Sequence, residues 1–262
     1  MTQADPAEPR IQSVQGIERA LDVLSLFVEA ESQTLGVTEI AQNLGLSKAV
    51  VHRILSTFRA KEFVEIDDVT HRYRLGPKIL MLGLRNMDRL DFRVIAREAM
   101  TELVRTTNET ATLSIRVGWD RVYIDQITPE RDVKMVVQIG RPFPLHTGAS
   151  SKALLAFLPT PEQEDYLASH ELVAMTAHSI TDPVKLRAEL KSIRAKGHAV
   201  SFGERDDSAG SVAAPIFGMN DQLLGVISIS GPAERFRGEA KEAAGTLMAA
   251  TRGVSARMGH RA

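Results

Sequence analysis

Lys48, Ala49, His52, Arg53, Ser56 and Arg59 recur at a spacing that gathers them on one side of a helix, while Val50, Val51, Ile54, Leu55 and Phe58 fall on the other. The polar side carries cations and no carboxylate. Residues 40–61 contain no Asp or Glu but do contain Lys48, Arg53, Arg59 and Lys61. Residues 69–87 repeat the pattern with Arg72, Arg74, Lys78 and Arg85. Such a local basic surface is suited to neutralising phosphates, even on a chain whose formal net charge is only −1. Lys48, at the helix start, and Arg72 suit phosphates; His52 and Arg53 can reach base edges.

The neighbouring elements must hold that face outward. Residues 16–30 space Ile17, Ala20, Leu21, Leu24, Phe27 and Val28 as one face of a helix. A short second helix starts near Thr38, a candidate N-cap, and buries Ile40, Ala41 and Leu44. Gly45 supplies the left-handed stop, and Ser47 caps the next helix. Two helices joined by a tight glycine turn form a helix-turn-helix, whose second helix enters the major groove of DNA. Phe63, Val64 and Ile66 then read as a strand, Asp67 and Asp68 as a turn, and residues 72–75 as a returning strand: a wing. The candidate DNA-facing set is Thr38, Ser47, Lys48, Ala49, His52, Arg53, Ser56, Arg59 and Arg72.

A second set of residues has different chemistry. Ser228 and Ser230 alternate with Ile227 and Ile229, so the two hydroxyls share one strand face. Ser201 and Ser211 lie at or beside the starts of neighbouring strands. Ala149 and Ser150 open a helix after Thr147 and Gly148, where free backbone N–H groups favour an anion. Around these residues the pattern is mixed. Residues 77–108 are helical, with Leu80, Leu84, Met87, Leu90, Val94 and Ile95 as an apolar stripe and a break at Arg89, Leu90 and Asp91. Strands are expected at 111–117, 122–127, 133–139, 200–202, 212–217 and 223–230, with a turn at Asn220 and Asp221. Helices are expected at 148–158, from Thr181, Asp182 and Pro183 to Gly197, and at 234–258. Strands in two groups with helices between them predict an α+β domain, an antiparallel sheet flanked by helices.

Composition excludes several classes. The 262 residues suit one large domain or two ordinary ones. There is no cysteine, so no disulfide and no thiolate metal site. The polar, Pro-bearing start MTQADPAEPR lacks the apolar core of a signal peptide, and no apolar run is long enough for a membrane span, so a cytoplasmic protein without a membrane partner is expected. Enzyme motifs are absent. An S-x-x-K pattern ending at Lys152 needs serine where Ala149 stands. GRPFPLHTG lacks the Gly-Lys of a P-loop, and His146, beside Thr147, has no acid at a fixed offset. The seven histidines are scattered without metal-ligand spacing, and no cofactor is expected. Glu204 is expected to hold its charged loop.

Taken together, SVQGIERALDVLSLF, TEIAQNLGLSKAVVHRILSTF and HRYRLGPKIL resemble the winged-helix domain of IclR-type bacterial transcription regulators. GRPFPLHTGASSKALLAFLP, SITDPVKLRAELKSIRAKGHAVSFGE, VAAPIF and GVISISGP continue the resemblance in order, over residues 11–259. It implies a winged helix-turn-helix over residues 10–76, a linker helix over 77–90 and a GAF- or PAS-like domain over 91–262. The expected partners are double-stranded DNA with a near-palindromic operator, a small organic acid effector, and further copies of the chain as a homodimer or dimer of dimers. Carried over residue by residue, the effector positions are the backbone of Ala149 and Ser150, then Ser201, Ser211, Ser228 and Ser230. Family members that take small keto-acids tend to carry Asp at the first of these four serines and Cys at the second. Serine at both positions shifts the expectation toward a larger or aromatic acid; the resemblance implies control of a catabolic operon. The rival reading is a GAF-like binding protein or enzyme with a non-functional winged helix.

Overall fold

The computed structural model describes residues 14–30, 32–87 and 92–261. The chain divides into two compact units at Arg89/Leu90. The expected break at Arg89, Leu90 and Asp91 lies outside the described residues.

The first unit contains α1 (Gln15–Glu29), α2 (Val37–Leu44), α3 (Lys48–Ala60), β1 (Val64–Ile66), β2 (Tyr73–Leu75) and α4 (Pro77–Met87). Gly45 closes α2 at φ 63°, where a side chain is disfavoured, and its neighbour Leu46 bonds back to the Ala41 carbonyl. Ser47 then caps α3, its Oγ accepting from the Val50 N–H at 3.4 Å. These two devices set the sharp turn between α2 and α3. The core joins Val23, Phe27, Leu35, Ile40, Ala41, Val51, Leu55, Val64 and Tyr73. β1 and β2 pair antiparallel with Glu65 opposite Arg74. Asp67 Oδ1 holds the turn between them, accepting from the N–H groups of Val69 and Thr70 and from the Thr70 hydroxyl.

Three expectations for this unit change. The N-cap of α2 is Gly36, whose N–H donates to the Glu39 carboxylate at 3.3 Å; Thr38 lies inside the helix. Arg72 precedes β2 and is not part of it. α1 faces the core through Val23 and Phe27, whereas Ile17 (58% exposed), Leu21 (57%) and Val28 (43%) are turned to solvent. The sequence shows an apolar helix, but the packing of α2 and α3 decides which stripe they cover.

The second unit contains α5 (Phe92–Thr107), β3 (Thr110–Val117), β4 (Asp120–Ile127), β5 (Pro142–Pro144), α6 (Ala149–Phe157), α7 (Thr160–Ser169), α8 (Pro183–Lys196), β6 (Ala199–Phe202), β7 (Ala209–Phe217), β8 (Leu223–Pro232) and α9 (Ala233–Arg257). Its sheet is antiparallel throughout, in the order β5-β4-β3-β8-β7-β6. One face presents Ala111, Leu113, Val212, Ala214, Ile227 and Ile229 to α5 and α9. The alternate residues face α6 and α8, where Leu154, Leu155, Leu186, Leu190, Ala199, Ala213 and Val226 form a second core. Asp182 caps α8 through the Val184 N–H, Pro183 opens it and Gly197 closes it at φ 77°. The α+β sheet-and-helix architecture is therefore as the sequence pattern predicts.

Two elements differ. Residues 133–139 form no strand; the Gln126 side-chain amide takes the place of a strand partner, bonding both the N–H and the carbonyl of Val137. The pairing position beside β4 belongs instead to β5. β7 begins at Ala209, so Ser211 lies inside a strand.

Leu55 has no exposed surface and anchors α3 against the rest of the first unit. Leu55→Ala is expected to lower the stability of that unit by about 2–5 kcal/mol, read by denaturant unfolding followed on the helix signal.

Candidate functional site

α3 presents one continuous polar surface. Lys48, Ala49, His52, Arg53, Ser56 and Arg59 are all exposed, while Val51 and Leu55 are buried and Val50, Ile54 and Phe58 half-buried. His52 Nδ1 lies 3.4 Å from the Ser56 hydroxyl, so these two members of the set steady each other. Lys48, Arg53 and Arg59 have no ion pair with any described residue. Their charge is therefore free for an external anion.

Arg72 behaves differently. Its Nε donates to Thr34 Oγ1 at 3.0 Å, and its Nη2 donates to the Thr34 carbonyl at 2.7 Å and the Glu39 carboxylate at 2.8 Å. This guanidinium ties the wing to the start of α2. It is a structural clamp, and only the rest of this half-exposed guanidinium is left for the expected phosphate contact. On the wing, Arg74 is likewise paired with Glu65 across the strands at 3.0 Å. The cations left free near the turn are those of the recognition helix.

In the second unit, the six expected effector positions line one cavity. Ser201 is opposite Ser211, and Ser211 is opposite Ser230, so three serines form a row across β6, β7 and β8. Ser228 is on the same face, two residues from Ser230, and bonds the Thr112 hydroxyl at 2.7 Å. The strand order alone brings them together, since residues 201 and 230 are far apart in sequence. α6 closes the opposite side. Gly148 precedes it at φ 84°, and the first-turn N–H groups of Ala149 and Ser150 have no carbonyl ahead of them to bond. Tyr123, Thr147, Ser151, Glu204, Arg205 and Asp206 complete the wall with Arg121. The cavity volume is about 30 Å³, room for one or two waters. At this volume no organic acid enters without movement of a wall side chain.

The charge that supports this cavity was invisible in the sequence. Lys152, 1% exposed, donates to Glu204 at 2.6 Å and to Glu189 at 3.0 Å. The other Glu204 oxygen accepts from the Gly148 N–H at 3.1 Å, so Glu204 holds its loop as expected. A lysine in a helix reads as solvated; its burial depends on α8 and β6 packing over α6. Behind this wall lies His146. Its Nε2 lies 3.0 Å from the Val173 carbonyl, which only accepts, so Nε2 carries the proton. Nδ1 then accepts from the Tyr166 hydroxyl at 2.8 Å. His146 is a hydrogen-bonded core residue and has no partner for nucleophilic chemistry among these contacts. Burial pushes Tyr166 up to about 12. Burial also pulls His146 below 6.5, against smaller raising effects of the Val173 carbonyl and Glu204.

Comparison with known proteins matches residues 16–68 to the IclR helix-turn-helix domain and residues 84–256 to the C-terminal domain of the bacterial transcriptional regulator IclR. The HTH-type transcriptional regulator KipR of Bacillus subtilis is 34% identical over 84% of this chain and 87% of its own length. The HTH-type transcriptional regulator Rv1719 of Mycobacterium tuberculosis is 34% identical over 94% of this chain and 93% of its own. Among solved structures, an IclR transcriptional regulator from Alicyclobacillus acidocaldarius superposes with a TM-score of 0.81 at 31% identity, covering 93% of this chain and 98% of that one. These relatives are regulators of transcription and not enzymes. No helix among the described residues is long and apolar enough to cross a membrane.

The depressed His146 pKa gives a signed pH effect. The unfolded imidazole takes a proton near 6.5 while the folded one resists, so its contribution is present above 6.5 and is lost as pH falls through the folded value. Thermal stability is expected to drop below pH 6.5 by at most about 1.4 kcal/mol per pH unit from this group. His146→Gln, which keeps a donor for Val173 and does not titrate, should flatten that slope in melts run at several pH values.

Proposed function

This chain belongs to the IclR family of bacterial transcriptional regulators, and from that premise we propose that it senses a small organic acid and answers by changing its hold on a near-palindromic operator. The observation that carries the DNA half is the face of α3. Its three cations are exposed and unpaired among the described residues, on a helix set by a glycine turn and a serine cap. Lys48 and Arg59 suit phosphates; His52, Arg53 and Ser56 suit base edges. Thr38, at the start of α2, and Ser47 would lie beside the backbone.

Two-fold pairing is supported by apolar surface that the first unit leaves uncovered. Ile17, Leu21 and Val28 of α1 are exposed at helical spacing, and Leu80, Met81 and Leu82 of α4 are exposed as well. A second copy covering them would place two recognition helices on two half-sites, as a homodimer or within a dimer of dimers.

The acid half rests on the cavity. Ala149 and Ser150 offer N–H groups, and Ser201, Ser211, Ser228 and Ser230 offer hydroxyls. An effector that binds one subunit geometry better than another shifts operator affinity by that difference and no more. The expected target is a catabolic operon whose substrate or product is the acid.

The promoter region of this protein's own gene is the first DNA to test, in binding assays across salt concentrations. Specific binding is expected, with log K falling as salt rises. Lys48→Ala with Arg53→Ala should weaken it and lower the magnitude of the salt slope by about 1 for each phosphate no longer neutralised. Equal affinity for unrelated DNA would rule out an operator. In parallel, a small-acid ligand should raise the melting temperature, by about 2.7 kcal/mol of added stability at a hundredfold excess over its Kd, and Ser228→Ala should remove the effect.

A further inference from the structure

Arg121 is the largest side chain with almost no exposure among the described residues, at 1%. A buried guanidinium requires a counter-charge or a complete set of hydrogen bonds. Arg121 has neither among the described residues. Nε donates to the Ser151 hydroxyl at 2.8 Å and Nη1 to the Ser114 hydroxyl at a long 3.4 Å. The guanidinium stacks 4.0 Å from the Tyr123 ring centre and 4.8 Å from that of Phe143. These partners are all neutral. Burial lowers its pKa from the ordinary 12.5, and Arg205 pushes the same way; Tyr123 opposes them. An arginine nevertheless stays charged near neutrality.

Arg121 lines the serine cavity, and the two carboxylates on that wall serve other groups. Glu204 is bound by Lys152 and by the Gly148 N–H. Asp206 accepts from the N–H and hydroxyl of Ser208. Arg205 adds a second guanidinium over the same two rings, 5.0 Å from Phe143 and 5.7 Å from Tyr123. A third observation is independent of charge. Thr147, 1% exposed, also lines the cavity, and its hydroxyl has no hydrogen-bond partner among the described residues. A buried hydroxyl left unpaired is destabilising, so a ligand group beside it is favoured.

We propose that Arg121 is the charge anchor of this cavity, and that the effector is a small hydroxylated aliphatic carboxylate with its acid group on Arg121 and its hydroxyls on the serine row. This deepens the reading of the cavity as the effector site and rests on it. The orientation follows from the charges. At the start of α6 the Gly148 N–H is already taken by the Glu204 carboxylate, so an acid group does not find that donor free. Arg121, on β4 and bonded to Ser151 in the first turn of α6, has no counter-charge among the described residues. The same cavity presents Ser150, Ser201, Ser211, Ser228 and Ser230, which both donate and accept. A benzene ring would strip water from these hydroxyls and return no hydrogen bonds, which disfavours it. The small volume and partly exposed Arg205 imply that this side chain shifts on entry.

The test uses the full-length protein and names its probes: glycolate, L-lactate and D-gluconate, the neutral alcohols ethylene glycol and sorbitol, and benzoate. Binding is read by calorimetry and by the shift in melting temperature. The expected result is that at least one hydroxy acid binds, the alcohols and benzoate do not, and Arg121→Met weakens the acid at least tenfold. If Arg121→Met does not fold, Arg121→Lys decides. It keeps the charge without the planar fork and should bind the same acid several-fold more weakly. Benzoate as the sole binder, or no binding by any hydroxy acid, overturns the proposed class. Unchanged affinity in the Arg121 variants overturns the anchor. In that case Ser228→Ala separates the two readings. If it abolishes acid binding, the cavity remains the effector site with another anchor; if it too changes nothing, the cavity itself is not the site.

Discussion

The Lys152 ammonium lies inside the second unit, on a helix pressed against a sheet, and a buried cation is costly without a partner. Glu204 and Glu189 meet that need from two different elements. Glu204 has a second oxygen, and the Gly148 N–H occupies it. One charge therefore fixes three things together: the start of α6, the loop after β6, and the middle of α8. The cavity lies between the first two. Its wall is a consequence of pairing Lys152, and the same pairing takes Glu204 out of the set of groups available to a ligand.

The first unit solves a similar problem on a smaller scale. Arg72 is half-exposed, so its pair with Glu39 is worth less than a buried one. Its bonds to Thr34 give it positional value, since they tie the wing to the loop before α2. Arg74 is matched by Glu65. With these cations engaged, positive charge free for a polyanion concentrates on α3. Charge placement, more than total charge, makes that surface distinct on a chain that is close to neutral overall.

The two cavity walls differ in kind. The sheet side is a ladder of hydroxyls whose spacing is set by strand register and cannot adjust without breaking pairs. The β4 side carries arginine and aromatic faces, and the loop with Arg205 borders it.

Much of this was legible in the sequence. Periodicity placed α3 and its two faces, Gly45 and Ser47 marked the turn, and Asp182, Pro183 and Gly197 bounded α8, because caps and helical repeats are local. The serines stood out because alternation with isoleucine is also local. Other features required the tertiary structure. Which stripe of α1 is covered, the failure of residues 133–139 to pair, the diversion of Arg72 to Thr34 and Glu39, and the burial of Lys152 and Arg121 all depend on contacts between residues distant in sequence. A charged side chain in a helix or strand carries no local sign of burial, since its environment is set by what packs over it. The sequence by itself thus determined most of the elements, the basic face and the family resemblance. Only the packing of each unit, α6 and α8 on the sheet and the wing on the loop before α2, decided which charges are free and which are held.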